Sequence, residues 1–89
     1  MESTTITITN KLGLHARASA KLTQLASSFE SSAWITRDGR RVNAKSIMGV
    51  MMLAAGMGSQ VTLETEGPDA KEMLASIVDL FANKFGEAA

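Results

Sequence analysis

Two stretches, TTITITN (residues 4–10) and QVTLETE (residues 60–66), alternate strictly between residues suited to a core and residues suited to water. In the first, Ile6 and Ile8 share one face, and Thr5, Thr7 and Thr9 share the other. In the second, Val61, Leu63 and Thr65 face one way. Successive strand side chains point to opposite sides of a sheet, so this pattern describes strands with one buried face and one wet face. Such strands accept helices on the buried face only.

The remaining segments supply the other elements. ARASAKLTQLASSF (residues 16–29) places Ala18, Leu22, Leu25, Ala26 and Phe29 at helical spacing, with Lys21 and Gln24 turned away. AWIT and RVNA read as two short strands joined by RDGR, because Asp-Gly tolerates the positive φ angles of a tight hairpin. Ser46 is placed as the N-cap of a short helix with a stripe of Ile47, Val50, Met51 and Ala54, ending at Gly56 or Gly58. In GPDAKE, Asp69 and Glu72 have the spacing of a capping box. Ala70, Met73, Leu74, Ile77, Val78, Phe81 and Phe85 form the clearest amphipathic stripe, closed by Gly86. The expected order is β-α-β-β-α-β-α. This is an α+β open-faced sandwich, with a mainly antiparallel sheet and helices on one side. A ferredoxin-like topology uses the first six elements in the same order, so periodicity leaves both open.

Eighty-nine residues suit a single domain spanning 1–89. The absence of cysteine excludes disulfides, thiolate metal sites and cysteine nucleophiles. One histidine without cysteine leaves carboxylates to finish any metal site, and no nucleotide-binding motif is present, so no metal and no cofactor are expected. Nine basic residues balance nine acidic ones, which argues against nucleic acid as a partner. Phe29, Trp34, Phe81 and Phe85 all fall in segments that read as core, leaving no stacking platform for bases. With no apolar run near ~18 residues and no signal-like N-terminus, membrane insertion and secretion are not expected, and a cytoplasmic location is.

His15 is the only histidine. With a helix beginning at Ala16 it occupies the N-cap, beside unsatisfied backbone N–H groups and the positive end of the helix dipole. That field disfavours an imidazolium and favours the neutral, nucleophilic ring. A phosphate on the ring would meet the N–H groups of Ala16 and Arg17, and the Arg17 side chain adds a charge-assisted donor. The alternative is an ordinary solvated cap.

The segment NKLGLHARAS resembles the active-site motif of the HPr family, the phosphocarriers of the bacterial phosphoenolpyruvate-dependent phosphotransferase system. RVNAKSIMGVMMLAAGMGSQVTLETEG is similar to the same family's second signature. The resemblance spans essentially the whole chain. It implies an open-faced sandwich of four antiparallel strands and three helices. It implies that His15 carries phosphate on Nδ1, received from phospho-enzyme I and passed to an A-type domain of an enzyme II, with Arg17 stabilising the phosphate. A stoichiometric carrier of this kind is not an enzyme and is expected to be a monomer. Ser46 matches a regulatory serine, phosphorylated by HPr kinase/phosphorylase in species that carry it. Phosphate at a helix N-cap is tolerated by the helix, so it is expected to alter the surface while leaving Arg17 and Lys45 available. The family's partner footprint maps to Ala20, Gln24, Ile47, Met48 and Met51, and an adaptable methionine surface suits several partners. Arg37, Arg40 and Arg41 read as a solvated hairpin rim. One position departs from the family motif: Ala18 stands where proline is usual, which restores an N–H in the first helical turn. A small-molecule-binding module of ferredoxin-like topology is the competing reading.

Overall fold

The computed structural model describes residues 1–88. Its elements are β1 (Glu2–Thr7), α1 (Ala16–Ser27), β2 (Ser32–Arg37), β3 (Arg40–Asn43), α2 (Ile47–Met52), β4 (Gln60–Glu66) and α3 (Ala70–Ala82), followed by a 3₁₀ turn at Lys84–Gly86. The expected order holds. The strands form one antiparallel sheet in the order β1-β4-β2-β3. A ferredoxin-like split β-α-β unit would insert β3 between the first two strands; here β4 lies there, which removes that alternative.

Register follows the alternation. Ile6 lies opposite Val61 and Ile35 opposite Leu63, so one face of the sheet is continuous apolar surface. Leu22 and Ala26 of α1 and Met73, Ile77 and Phe81 of α3 close over it, all nearly or wholly buried. On the other face the Thr5 and Thr62 hydroxyls meet at 3.1 Å. Trp34 belongs to this open face rather than to the core. It is half-buried beneath the Arg41 guanidinium, 4.2 Å from the ring centre, and Arg41 also reaches Glu64 at 3.2 Å. The alternation in β2 dictates this, since Ala33 and Ile35 take the inward positions.

Several boundaries differ from the pattern-based expectation. Pairing in the first strand stops at Thr7, although Ile8 is buried and exchanges hydrogen bonds with Gly58 and Ser59. Phe29 lies beyond α1 and is half-buried. In α2 only Val50 is buried, joined by Leu53 just past its end; Ile47, Met51 and Ala54 are exposed. A helix of under two turns presents one narrow stripe, and the i, i+3 pair Val50 and Leu53 takes it. The left-handed turn falls at Ala54 (φ 49°), earlier than Gly56 or Gly58. Leu14 N–H bonds the Ala55 carbonyl at 2.8 Å, which draws the chain round at that point.

Asp69 does not cap its own helix. Its carboxylate instead accepts from the N–H groups of Glu30 and Ser31 at 3.0 and 2.8 Å, and its own N–H donates to the Ser31 hydroxyl at 3.0 Å. Phe85 is buried as expected, but from a left-handed run after α3 rather than from its helical stripe. Lys84, Phe85 and Gly86 have φ of 54°, 57° and 77°.

The hairpin arginines are not simply solvated. Arg37 and Arg40 donate to the carbonyls of Leu53 and Met52 at 3.0 and 3.2 Å, tying the hairpin to the C-terminal end of α2. Cations near a helix C-terminus satisfy its free carbonyls and complement its dipole.

Candidate functional site

Residues 10–14 set the entry into α1. Gly13 turns in the left-handed region at φ 64° and lies against Ala55 and Gly56, where a Cβ would meet the Ala55 oxygen at 2.4 Å. Only glycine fits both the angle and the approach. Leu14 is buried next to it, and the Ser19 hydroxyl donates to the Leu14 carbonyl at 3.0 Å. His15 follows as the N-cap, in extended conformation, its carbonyl accepting the first helical bond from Ser19 at 2.8 Å.

The His15 ring does not cap the helix, and no acidic residue lies in the first turn. The N–H groups of Ala16, Arg17 and Ala18 precede the first intrahelical donor, so the positive end of α1 lacks a side-chain acceptor from its N-cap. Ala18 itself is fully buried and starts the inward face of the helix.

The ring is turned the other way. His15 Nε2 lies 2.5 Å from Oε2 of Glu87, with the His15 side chain 26 % exposed and that of Glu87 13 %. The second Glu87 oxygen accepts from Asn10 Nδ2 at 3.1 Å, and the same amide donates to the Gly13 carbonyl at 2.8 Å. Asn10 is completely buried; its Oδ1 has no partner among the described residues. Hydrogen bonds from Asn10 and then His15 hold the Glu87 carboxyl below its ordinary range, against the opposing effect of partial burial, and the Lys21 charge acts in the same direction. Nδ1 of His15 makes no hydrogen bond among the described residues.

An open groove beside the ring is lined by Lys11, Arg17, Lys21 and Glu87, with Leu12 and Ala16. Three cations therefore face one anion. Arg17 is exposed and has no side-chain hydrogen bond among the described residues. Lys21, set off the apolar stripe of α1, reaches the edge of the site: its Nζ donates to the Phe85 carbonyl at 2.5 Å. Its spacing of four from Arg17 puts both on one face of α1, a signal present in the sequence. Glu87 carried no such signal, because its contact with His15 joins residues 72 positions apart.

Ser46 caps α2 as expected, its Oγ accepting from Gly49 N–H at 3.1 Å. Lys45 is engaged, donating to the Phe29 carbonyl at 3.0 Å, and so is not the free cation expected beside Ser46. α1 and α2 pack against each other. Gln24 is exposed and Ala20 half-buried, while Ile47, Met48 and Met51 are 38 %, 68 % and 40 % exposed. Leu12, Met52 and Met57 add further exposed apolar surface. No helix among the described residues is long and apolar enough to cross a membrane.

Residues 2–83 match the family model described as the PTS HPr component phosphorylation site. The chain belongs to the HPr family of phosphocarriers. It is 68 % identical to the phosphocarrier protein HPr of Cupriavidus necator over 81 residues, 91 % of each chain. It is 56 % identical to that of Neisseria meningitidis over 82 residues, 92 % of each. A crystal structure of HPr from Thermoanaerobacter tengcongensis superposes with a TM-score of 0.97 over the whole of both chains at 48 % identity. The HPr-family fold is thus the open-faced sandwich expected, and the family's role is that of a phosphocarrier in the phosphotransferase system.

Proposed function

We propose that this HPr-family chain accepts a phosphoryl group on Nδ1 of His15 from phospho-enzyme I and passes it to an A-type domain of an enzyme II. The supporting observation is the start of α1: a histidine N-cap whose ring leaves the first-turn N–H groups free of any side-chain cap and whose Nδ1 has no partner among the described residues. The Nδ1 lone pair forms the new N–P bond as the donor–phosphorus bond breaks, its electron pair staying with the donor. The incoming oxygens meet the positive end of α1, and the exposed Arg17 side chain supplies a counter-charge. The protein acts as a covalent substrate of the enzymes on either side, without turnover of its own, in the cytoplasm and as a monomer.

Partners dock over Ala20, Gln24, Ile47, Met48 and Met51, where exposed methionines can adapt to different surfaces. Ser46 is a regulatory site in cells that hold HPr kinase/phosphorylase: the hydroxyl is exposed on the α2 N-cap, where added negative charge is compatible with the helix.

Incubation with enzyme I, phosphoenolpyruvate and magnesium, followed by intact-mass measurement, tests the central reading. Wild type gains one acid-labile, base-stable phosphate, and His15→Ala gains none. An unmodified wild type, under conditions that modify a known carrier, overturns it.

A further inference from the structure

We propose that Glu87 is a positioning residue for the phosphoryl chemistry of His15. Its carboxylate keeps a proton on Nε2 in both the free and the phosphorylated ring, so that Nδ1 is the open lone pair. This rests on the reading of His15 as phosphoryl acceptor.

The contact is built, not incidental. Glu87 Oε2 sits 2.5 Å from Nε2, and Oε1 is held by Asn10, a fully buried amide that is itself fixed to the Gly13 carbonyl. The backbone delivering Glu87 is costly to form. Lys84 and Phe85 are non-glycine residues in left-handed conformation, which L-residues adopt only against steric strain. Three contacts hold that turn: burial of the Phe85 ring, its edge contact with Phe81 at 4.8 Å between centroids, and the Lys21 bond to the Phe85 carbonyl. The charged groups facing the pair are Arg17 and Lys21 from α1 and Lys11 from the preceding loop; Glu87 is the one acid lining the groove among the described residues.

The chemistry then balances without moving a proton. When Nδ1 takes the phosphoryl group, Nε2 keeps its hydrogen and the ring becomes cationic beside the Glu87 carboxylate. When the phosphoryl group leaves, the N–P electron pair returns to Nδ1 and the ring is neutral again. A phosphorylated ring that had lost the Nε2 proton would have to depart as an imidazolate, a far poorer leaving group. A carboxylate that orients a histidine ring and selects its tautomer through the far nitrogen serves metal-binding histidines in the same way.

Ring ¹⁵N NMR on full-length protein tests this in two arms. In the unphosphorylated protein, wild type shows the single Nε2–H tautomer, and Glu87→Ala shows a mixture. After chemical phosphorylation with phosphoramidate, the midpoint of the ring titration falls by about one pH unit in Glu87→Gln, a tenfold loss of proton affinity from removing the charge while keeping an acceptor. Gly86→Ala keeps the carboxylate but strains the turn at φ 77°, with the new Cβ 3.3 Å from Lys21 Nζ, and should move both readouts the same way. Trp34 fluorescence confirms that each variant is folded. An unchanged tautomer in Glu87→Ala, or an unchanged midpoint in Glu87→Gln, overturns the proposal even where enzyme I phosphorylates wild type normally. Failure of enzyme I to modify wild type defeats the carrier reading instead, and the tautomer arm still judges Glu87.

Discussion

The starts of α1 and α3 share one device and put it to different ends. Each helix has a titratable N-cap, His15 or Asp69, whose side chain leaves its own helix unbonded and reaches a distant segment instead. Asp69 reaches backbone: two N–H groups of the turn between α1 and β2, with the Ser31 hydroxyl returning the bond. His15 reaches a side chain on the C-terminal turn, and the carboxylate it meets is itself held by Asn10. Binding backbone with a carboxylate produces an anchor, since every oxygen contact is spent on holding two segments together. Binding a carboxylate with an imidazole leaves a second ring nitrogen, an exposed arginine and a row of helix N–H groups without a side-chain cap. The same diverted cap makes a clasp in one place and, in the function proposed above, a phosphoryl acceptor in the other.

The glycines beside the two starts give the sharpest way to break this comparison. Gly67, at φ 140°, lies so close to Ser31 that a Cβ would sit 2.5 Å from its Oγ and 2.7 Å from its Cα. Gly13 is pressed as hard on Ala55 and Gly56. Alanine at either position meets backbone in a left-handed or glycine-only conformation, so each should lose stability on the order of 3 kcal/mol in urea unfolding followed by Trp34 fluorescence. The difference lies in function. The folded fraction of Gly67→Ala should accept phosphate on His15 at the wild-type rate, whereas Gly13→Ala should lose rate several-fold even where folded. Equal rates in the two variants would mean that the entry to α1 does not position the ring.

How much of this was legible follows from the range of each interaction. The sandwich, the element order and the helix start at His15 rest on local periodicity and on a motif of neighbours, so they could be read from the chain. The Trp34 placement, the shortened stripe on α2 and the redirected Asp69 each depend on what a distant strand or turn offers. Ile47 and Met51 are apolar at helical spacing, and only the position of α2 against β3 and α1 shows that Val50 and Leu53 take the buried places. Glu87 was beyond reach for the same reason. Nothing near residue 87 says that a left-handed turn at Lys84–Gly86 will carry its carboxylate back to residue 15.

Acid separates the two devices by a smaller effect. The Ser31 hydroxyl, with the Glu30 and Ser31 N–H groups, holds the Asp69 carboxyl below its ordinary 3.8, and Glu87 is likewise held below 4.5. A depressed folded value means that the stability each contributes is complete above the unfolded value and is lost as pH falls through the folded one. Wild type should therefore lose part of its stability below about pH 4. Asp69→Asn should start less stable at pH 7 and show a flatter acid limb in thermal melts. Glu87→Gln should leave the Asp69 share of that limb in place. An acid limb in Asp69→Asn as steep as wild type's would show that the clasp contributes nothing that titrates.

Ser46 supplies the third helix start and the smallest expected change, because here the side chain does cap its own helix. Its Oγ accepts from Gly49 N–H at 3.1 Å, satisfying one of the first-turn donors that the helix cannot satisfy itself. Ser46→Ala should cost about 1 kcal/mol in urea unfolding. Ser46→Asp keeps an acceptor at the same place and adds charge that the helix start tolerates, so it should retain helical circular dichroism and most of the wild-type stability. Its effect should fall instead on the rate at which enzyme I phosphorylates His15, since new negative charge alters the surface beside the exposed methionines. Loss of helical signal in Ser46→Asp with an unchanged rate would place Ser46 with Asp69, as a residue that holds the fold and leaves the chemistry alone.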